Sequence, residues 1–136
     1  AVASIGSYPA YDGSLSVRGT IAIENEISGR GITLKGTVTG LRKNATGGIH
    51  IHSGVTCSDA NEVGGHYYDE QYWAETDPWD LPVTYSSDSN GVSTIDIAMD
   101  GFSLTGDYPV AGASLWCTMR MEIGLDAESL SLLQEK

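Results

Sequence analysis

Basic residues are scarce in this chain: seven lysines and arginines stand against eighteen aspartates and glutamates, a formal net charge of −11. Such a field repels polyanions, which makes nucleic acid and anionic bilayers poor partners. Long hydrophobic runs are missing too; nothing approaches the roughly 18 consecutive apolar residues of a membrane-spanning helix, so no membrane insertion is expected. Cysteine is limited to Cys57 and Cys117. That is too few for a disulfide-dense scaffold, although one pair is compatible with an oxidising compartment. Histidine is the most telling scarcity, with three in the whole chain, at positions 50, 52 and 66.

What remains is the composition of one compact domain. The 136 residues are 40% hydrophobic and include seventeen glycines, enough for a single core with many tight turns. Leu15, Val17, Gly19, Ile21 and Ile23 alternate with Ser16, Arg18, Thr20 and Ala22, the period-two pattern of a half-buried strand. After a Ser28-Gly29-Arg30-Gly31 turn the pattern resumes at Ile32, Leu34 and Val38, so a hairpin is expected. Further strands are expected over 48–52, over 81–85 and 92–98 as a pair around the turn 86–91, and over 113–123. Short strands separated by Gly, Asn, Asp and Ser predict an all-β antiparallel sandwich or barrel spanning 1–124.

Between His52 and Leu81 lies a long stretch of little strand character, carrying Tyr67, Tyr68, Tyr72, Trp73 and Trp79. Loops of that length are functional or disordered, and the aromatics favour packing. The tail over 125–136 is the one helix-like segment, with Asp126 as its cap and Leu130, Leu132 and Leu133 as an apolar stripe. The chain starts at Ala1 without Met and without a basic-then-apolar leader. The expectation is a processed protein, secreted or held in an oxidising lumen. Asn44-Ala45-Thr46 is an N-glycosylation sequon, a pattern that chance often produces.

The histidines carry the chemistry. His50 and His52, two apart on an extended strand, project to one face. His66 follows Gly64-Gly65, where a turn can bring it back towards them. Imidazole donors suit zinc, copper, iron or nickel without choosing among them. The competing reading is two half-exposed strand residues with no ligand role.

At this point the chain resembles the copper-zinc superoxide dismutases, and most of all their copper-only and repeat-type relatives. The matching stretches are Val17-Arg18-Gly19-Thr20-Ile21, Gly36-Thr37-Val38-Thr39-Gly40-Leu41, Gly47-Gly48-Ile49-His50-Ile51-His52, Cys57, Gly64-Gly65-His66-Tyr67 and Ser103-Leu104-Thr105-Gly106-Asp107. The resemblance implies a Greek-key β-barrel binding one copper ion through His50, His52 and His66, with superoxide as substrate. His66 is the candidate for a proton-transfer role. The resemblance also implies a Cys57–Cys117 disulfide, whose closed loop of roughly 60 residues would stabilise the fold by about 4 kcal/mol in the chain-entropy model.

The departures from the family are as specific as the matches. No histidine follows His66, so the family's fourth copper ligand falls on Tyr108 or Thr118, depending on the alignment, and neither replaces it. Ser114 stands where the family carries an anion-attracting arginine, and Arg120 lies on the wrong side of Cys117. The zinc site lacks two histidines, so no zinc is expected. Asp69, Glu70, Glu75, Asp77 and Asp80 could hold calcium, but without a defined loop spacing a solvated acidic loop is the default.

Two functions of different class follow. One is a copper-binding domain whose three-histidine site has weak dismutase activity or none. The other is a non-catalytic interaction module that meets a protein partner through the 67–80 loop or the C-terminal tail. In the second, Tyr72, Trp73 and Trp79 are anchors; the alternative role for these aromatics is to cover the mouth of the barrel.

Overall fold

The computed structural model describes residues 1–7, 11–54, 59–74, 76–80, 83–106, 109–110 and 121–123. Seven strands occur among them: β1 (Val2–Ile5), β2 (Arg18–Asn25), β3 (Gly31–Thr39), β4 (Thr46–Ile51), β5 (Thr84–Ser86), β6 (Ser93–Asp100) and β7 (Met121–Ile123). They form two antiparallel sheets, ordered β1-β2-β3-β6 and β5-β4-β7. The chain therefore changes sheet between β3 and β4, between β5 and β6, and again before β7, as in a Greek-key sandwich. The α-helical content of the described residues is nil; two single-turn 3₁₀ segments, Ala60–Glu62 and Pro78–Asp80, punctuate the long loop.

The alternation seen in the sequence sets which face is buried. Ile21 and Ile23 of β2, and Ile32, Leu34 and Val38 of β3, have no exposed surface, whereas Arg18, Thr20 and Lys35 face water. The hairpin register pairs Ile23 with Leu34 and Ile21 with Gly36, so the two strands present one continuous inner face. Ile49 and Ile51 of β4 supply the opposing face, with Ile95 and Met99 of β6 completing the first sheet's contribution. A one-residue slip in any of these pairings would turn its isoleucines to solvent, which is why the register is firmly specified.

One strand is added to those expected, and one expected pairing changes. Residues 2–5 form an edge strand on β2, burying Ala3 and Ile5; four residues are too few for alternation to announce a strand. The stretches around 84 and 93 do not pair with each other. β5 pairs with β4, matching Thr46 with Ser86 and Gly48 with Thr84, while β6 pairs with β3. The physical cause lies in the turn between them, which closes on itself through Asp88 N to Val92 O (2.9 Å) but is also tied to the 41–45 loop. Leu41 N donates to Gly91 O (3.0 Å), Asn44 N to Asp88 O (2.9 Å) and Ser87 Oγ to Arg42 O (2.5 Å). Of the last expected strand only Met121–Ile123 lies among the described residues, paired with β4. Cys57, Cys117 and the 125–136 tail lie outside them. The sequon's Asn44 is exposed in the turn before β4, with φ at 51°.

Asp88 organises that turn. Its carboxylate accepts from Asn90 N (2.8 Å) and Val92 N (3.0 Å), and these backbone donors hold its carboxyl below the usual carboxylate range. A lowered folded-state value means stability that is present above the unfolded value and lost as pH falls through the folded one. The protection factors of the Asn90 and Val92 amides are therefore expected to fall as pH drops below about 4 and through the lowered folded-state value, and Asp88→Ala to remove that pH step. For the core, Ile49→Ala is expected to destabilise by about 2–5 kcal/mol in urea unfolding. Ile27→Ser, at the fully exposed hairpin tip, is expected to stay within about 0.5 kcal/mol of wild type.

Candidate metal centre

β4 ends at Ile51, but its pairing carries on for one more residue. Tyr67 N donates to Ile51 O (2.8 Å) and Ser53 N to Gly65 O (3.0 Å), forming an antiparallel bridge in which His52 faces His66. Directly opposed residues of an antiparallel pair point to the same side, and His50 shares that side with His52 by the period of the strand. Three histidines separated in sequence thus meet by backbone geometry. Their ring centroids are 4.6 Å apart for His50 and His66, 5.4 Å for His52 and His66, and 6.3 Å for His50 and His52. One ring nitrogen from each lies within 4.8 Å of the other two. All three are half-buried, partly withdrawn from water.

Two glycines make room for the rings. A Cβ on Gly48 would stand 2.8 Å from His50 Nε2 and 2.9 Å from its Cε1, so a side chain there would have to displace the ring. Gly64 adopts φ of +76°, and a Cβ there would press on Ser53 Oγ and Gly54 N. In that conformation the Gly64 carbonyl reaches His52 Nδ1 at 3.0 Å. A carbonyl only accepts, so Nδ1 of His52 carries the proton, and Nε2 is the nitrogen that would meet an ion.

His66 is oriented by a carboxylate. Its Nδ1 lies 2.7 Å from Asp77 Oδ2, again leaving Nε2 as the donor to an ion. Asp77 is itself fixed, because its Oδ1 accepts from Trp79 N at 2.8 Å and starts the Pro78–Asp80 turn. One carboxylate thus caps a turn and holds a ring, the arrangement by which metal-binding histidines are commonly set in a single tautomer. In the sequence Asp77 stood only among the loop acids considered for calcium. Its position before Pro78 is an N-cap signal, but nothing in the spacing tied it to His66. Asp69 is likewise occupied, accepting from Gln71 N and Tyr72 N. Among the described residues the histidine trio is the one group arranged to hold a metal, and no calcium cluster forms there.

The aromatics take unequal places. Trp79 is buried at 4% exposure, its Nε1 donating to Tyr67 O (3.0 Å) and its ring 6.0 Å from His50 and 6.4 Å from His66. It walls the site and leaves little surface of its own for a partner to meet. Trp73 is half-buried and Tyr72 is exposed. Partial desolvation, together with the negative charges of Asp77, Glu70 and Asp80, pushes the Tyr68 phenol above its ordinary value. Tyr68 therefore stays protonated at neutral pH. The same carboxylates favour a cation at the histidines and oppose an approaching anion. Tyr108, Ser114, Thr118 and Arg120 lie outside the described residues.

The Asp77 contact has a direct spectroscopic consequence. Long-range ¹H–¹⁵N correlation is expected to show His66 as the Nδ1–H tautomer in the wild type. Asp77→Ala is expected to leave a mixture in which the Nε2–H form, the one dominant for unconstrained imidazole, prevails.

The sequence model of the copper/zinc superoxide dismutase (SODC) family matches residues 17–119. No curated protein matches the chain. The matched span runs from the end of the segment preceding β2 to the edge of β7, and it contains both sheets' central strands and all three histidines. Two antiparallel Greek-key sheets, a histidine pair at the end of β4 and a third histidine opposite it agree with that match: the chain belongs to the copper/zinc superoxide dismutase family.

Proposed function

We propose that this domain binds a single copper ion through His50, His52 and His66, without zinc, and that it dismutates superoxide weakly or not at all. The convergence of the three rings, with a nitrogen from each within 4.8 Å of the others, carries this reading. An ion holding imidazoles at about 2.0–2.1 Å needs donors somewhat closer than that, a gap that rotation of half-buried rings closes. The donor set is entirely nitrogen, which suits copper. It does not suit a second, zinc, site: the sequence holds no further histidine, and the Nδ1 side of His66, where a bridging role would need another metal, belongs to Asp77.

A bound copper ion would supply a one-electron couple. The protein's part is to hold three nitrogens and to manage a proton. His66 Nδ1 shares its proton with Asp77 Oδ2, and their side chains are 26% and 23% exposed, so that proton exchanges with solvent without opening the fold. Three donors favour the reduced ion over Cu(II), which prefers tetragonal surroundings with more ligands. The acidic neighbours and the net charge of −11 oppose capture of an anionic substrate. Both features support slow turnover. A secreted or lumenal setting and the Cys57–Cys117 bond belong to the same proposal, and a thiol count on the denatured, unreduced protein tests the bond; two reactive thiols would refute it.

Copper titration against a competing chelator is expected to show one equivalent bound to the wild type. His50→Ala/His52→Ala is expected to bind none, and superoxide consumption by the loaded wild type to stay close to the uncatalysed rate. Equal uptake by the double variant would remove the site, and rapid turnover would overturn the weak-activity reading. Asp77→Asn is expected to weaken copper binding by about 10–100-fold.

A further inference from the structure

An unbroken file of aromatic rings leads from the histidines to the surface. Trp79 lies 6.0 Å from His50; Phe102 lies 5.3 Å beyond Trp79, Trp73 6.4 Å beyond Phe102, and Tyr72 5.4 Å beyond Trp73, all between ring centroids. Trp79 and Phe102 are buried, Trp73 is half-buried and Tyr72 is 57% exposed. The file ends at the rim of an open groove of about 380 Å³, where Tyr72 stands near Arg30, Ser103 and Thr105.

Filling a core requires apolar volume; it does not require that the stations be tryptophan and tyrosine, the most easily oxidised of the aromatic side chains. The polar atoms along the file add to the pattern. Trp79 Nε1 donates to a backbone carbonyl, which is no base, and Trp73 Nε1 is buried without a hydrogen-bond partner among the described residues. Among the described residues no base is placed to take the proton of an indole that loses an electron at either position, so the charge is not trapped there. Tyr72 is different. Its exposed phenol can release its proton to water when it is oxidised, and that loss fixes the radical at the surface.

We propose that Trp79, Phe102, Trp73 and Tyr72 form an escape route for oxidising equivalents, protecting the histidine centre from peroxide. The proposal rests on the copper reading above. Hydrogen peroxide reduced at the centre takes up two electrons and two protons to give water. A bound copper ion would supply one electron and Trp79 the second; the protons come from solvent. Trp73 refills Trp79 across Phe102. Tyr72 refills Trp73 and gives its phenolic proton to water. A hydrogen-atom donor of the enediol or thiol class then returns one electron and one proton to the Tyr72 radical at the groove.

The test uses copper-loaded wild type, Tyr72→Phe and Trp73→Phe, both variants keeping a ring in place so that the fold is preserved. Copper stoichiometry and the Cu(II) resonance are recorded first; failure of the wild type to load would overturn the copper reading and this proposal with it. The loaded proteins are then treated with hydrogen peroxide, freeze-quenched for electron paramagnetic resonance and mapped by mass spectrometry. The wild type is expected to give a tyrosyl signal and dityrosine-linked dimers through Tyr72. Both are expected to vanish in Tyr72→Phe and to fall several-fold in Trp73→Phe, while oxidation of His50, His52, His66 and Trp79 rises several-fold in each variant. Normal copper loading with a tyrosyl signal that survives Tyr72→Phe would overturn the route alone. So would equal histidine oxidation in all three proteins.

Discussion

The bridge between 51–53 and 65–67 is the contact on which the rest of the site depends. Two backbone hydrogen bonds, Tyr67 N to Ile51 O and Ser53 N to Gly65 O, decide that His66 stands opposite His52 and not one residue to either side. Because side chains alternate across a strand, a slip of one position would send His66 to the far face and leave only two imidazoles together. The fold secures the strand side of this bridge through Ile49 and Ile51, both fully or almost fully buried. The loop side is secured by Gly64 in its positive-φ conformation and by Tyr67, whose hydroxyl donates to Pro109 O at 2.8 Å. Site geometry is thus inherited from core packing.

Asp77 adds what backbone pairing cannot, namely the rotation and tautomer of a ring. Its two oxygens face different tasks, one ending in the Pro78–Asp80 turn and the other on His66. The turn in turn buries Trp79 beneath the histidines. Local chain geometry, ring orientation and the apolar floor of the site are therefore coupled through a single carboxylate. The same negative charge favours a cation there and disfavours an anion, so the surroundings suit the holding of a metal better than the drawing in of a negatively charged substrate.

Much of the fold was legible because its signals are local and periodic. Ile21, Ile23, Ile32 and Leu34 announce buried strand faces on their own, and His50-Ile51-His52 announces two rings on one side. The resemblance placed His66 with them, and the bridge accounts for it physically. What escaped the sequence depends on partners far along the chain. β1 is too short to show a period. β5 and β6 look like a hairpin because the turn between them is rich in turn formers, yet Ser87, Asp88 and Gly91 bond to residues 41–45 and send the strands to different sheets. Asp77 reads as one acid among five until the loop closes on His66. The burial of Trp79 comes with the Pro78–Asp80 turn.

β4 has two very different ends. At its beginning, the 41–45 and 86–92 segments are laced together by main-chain and hydroxyl contacts that involve none of the histidines. At its finish stand the imidazoles, on backbone that continues into a long irregular excursion. Mechanical anchorage and chemistry are consequently housed at opposite poles of one short strand. Descendants of such a domain can rewrite the reactive pole, dropping a ligand or exchanging a loop, while inheriting the anchored pole intact, and a barrel of this kind is free to change occupation without first having to learn to fold again.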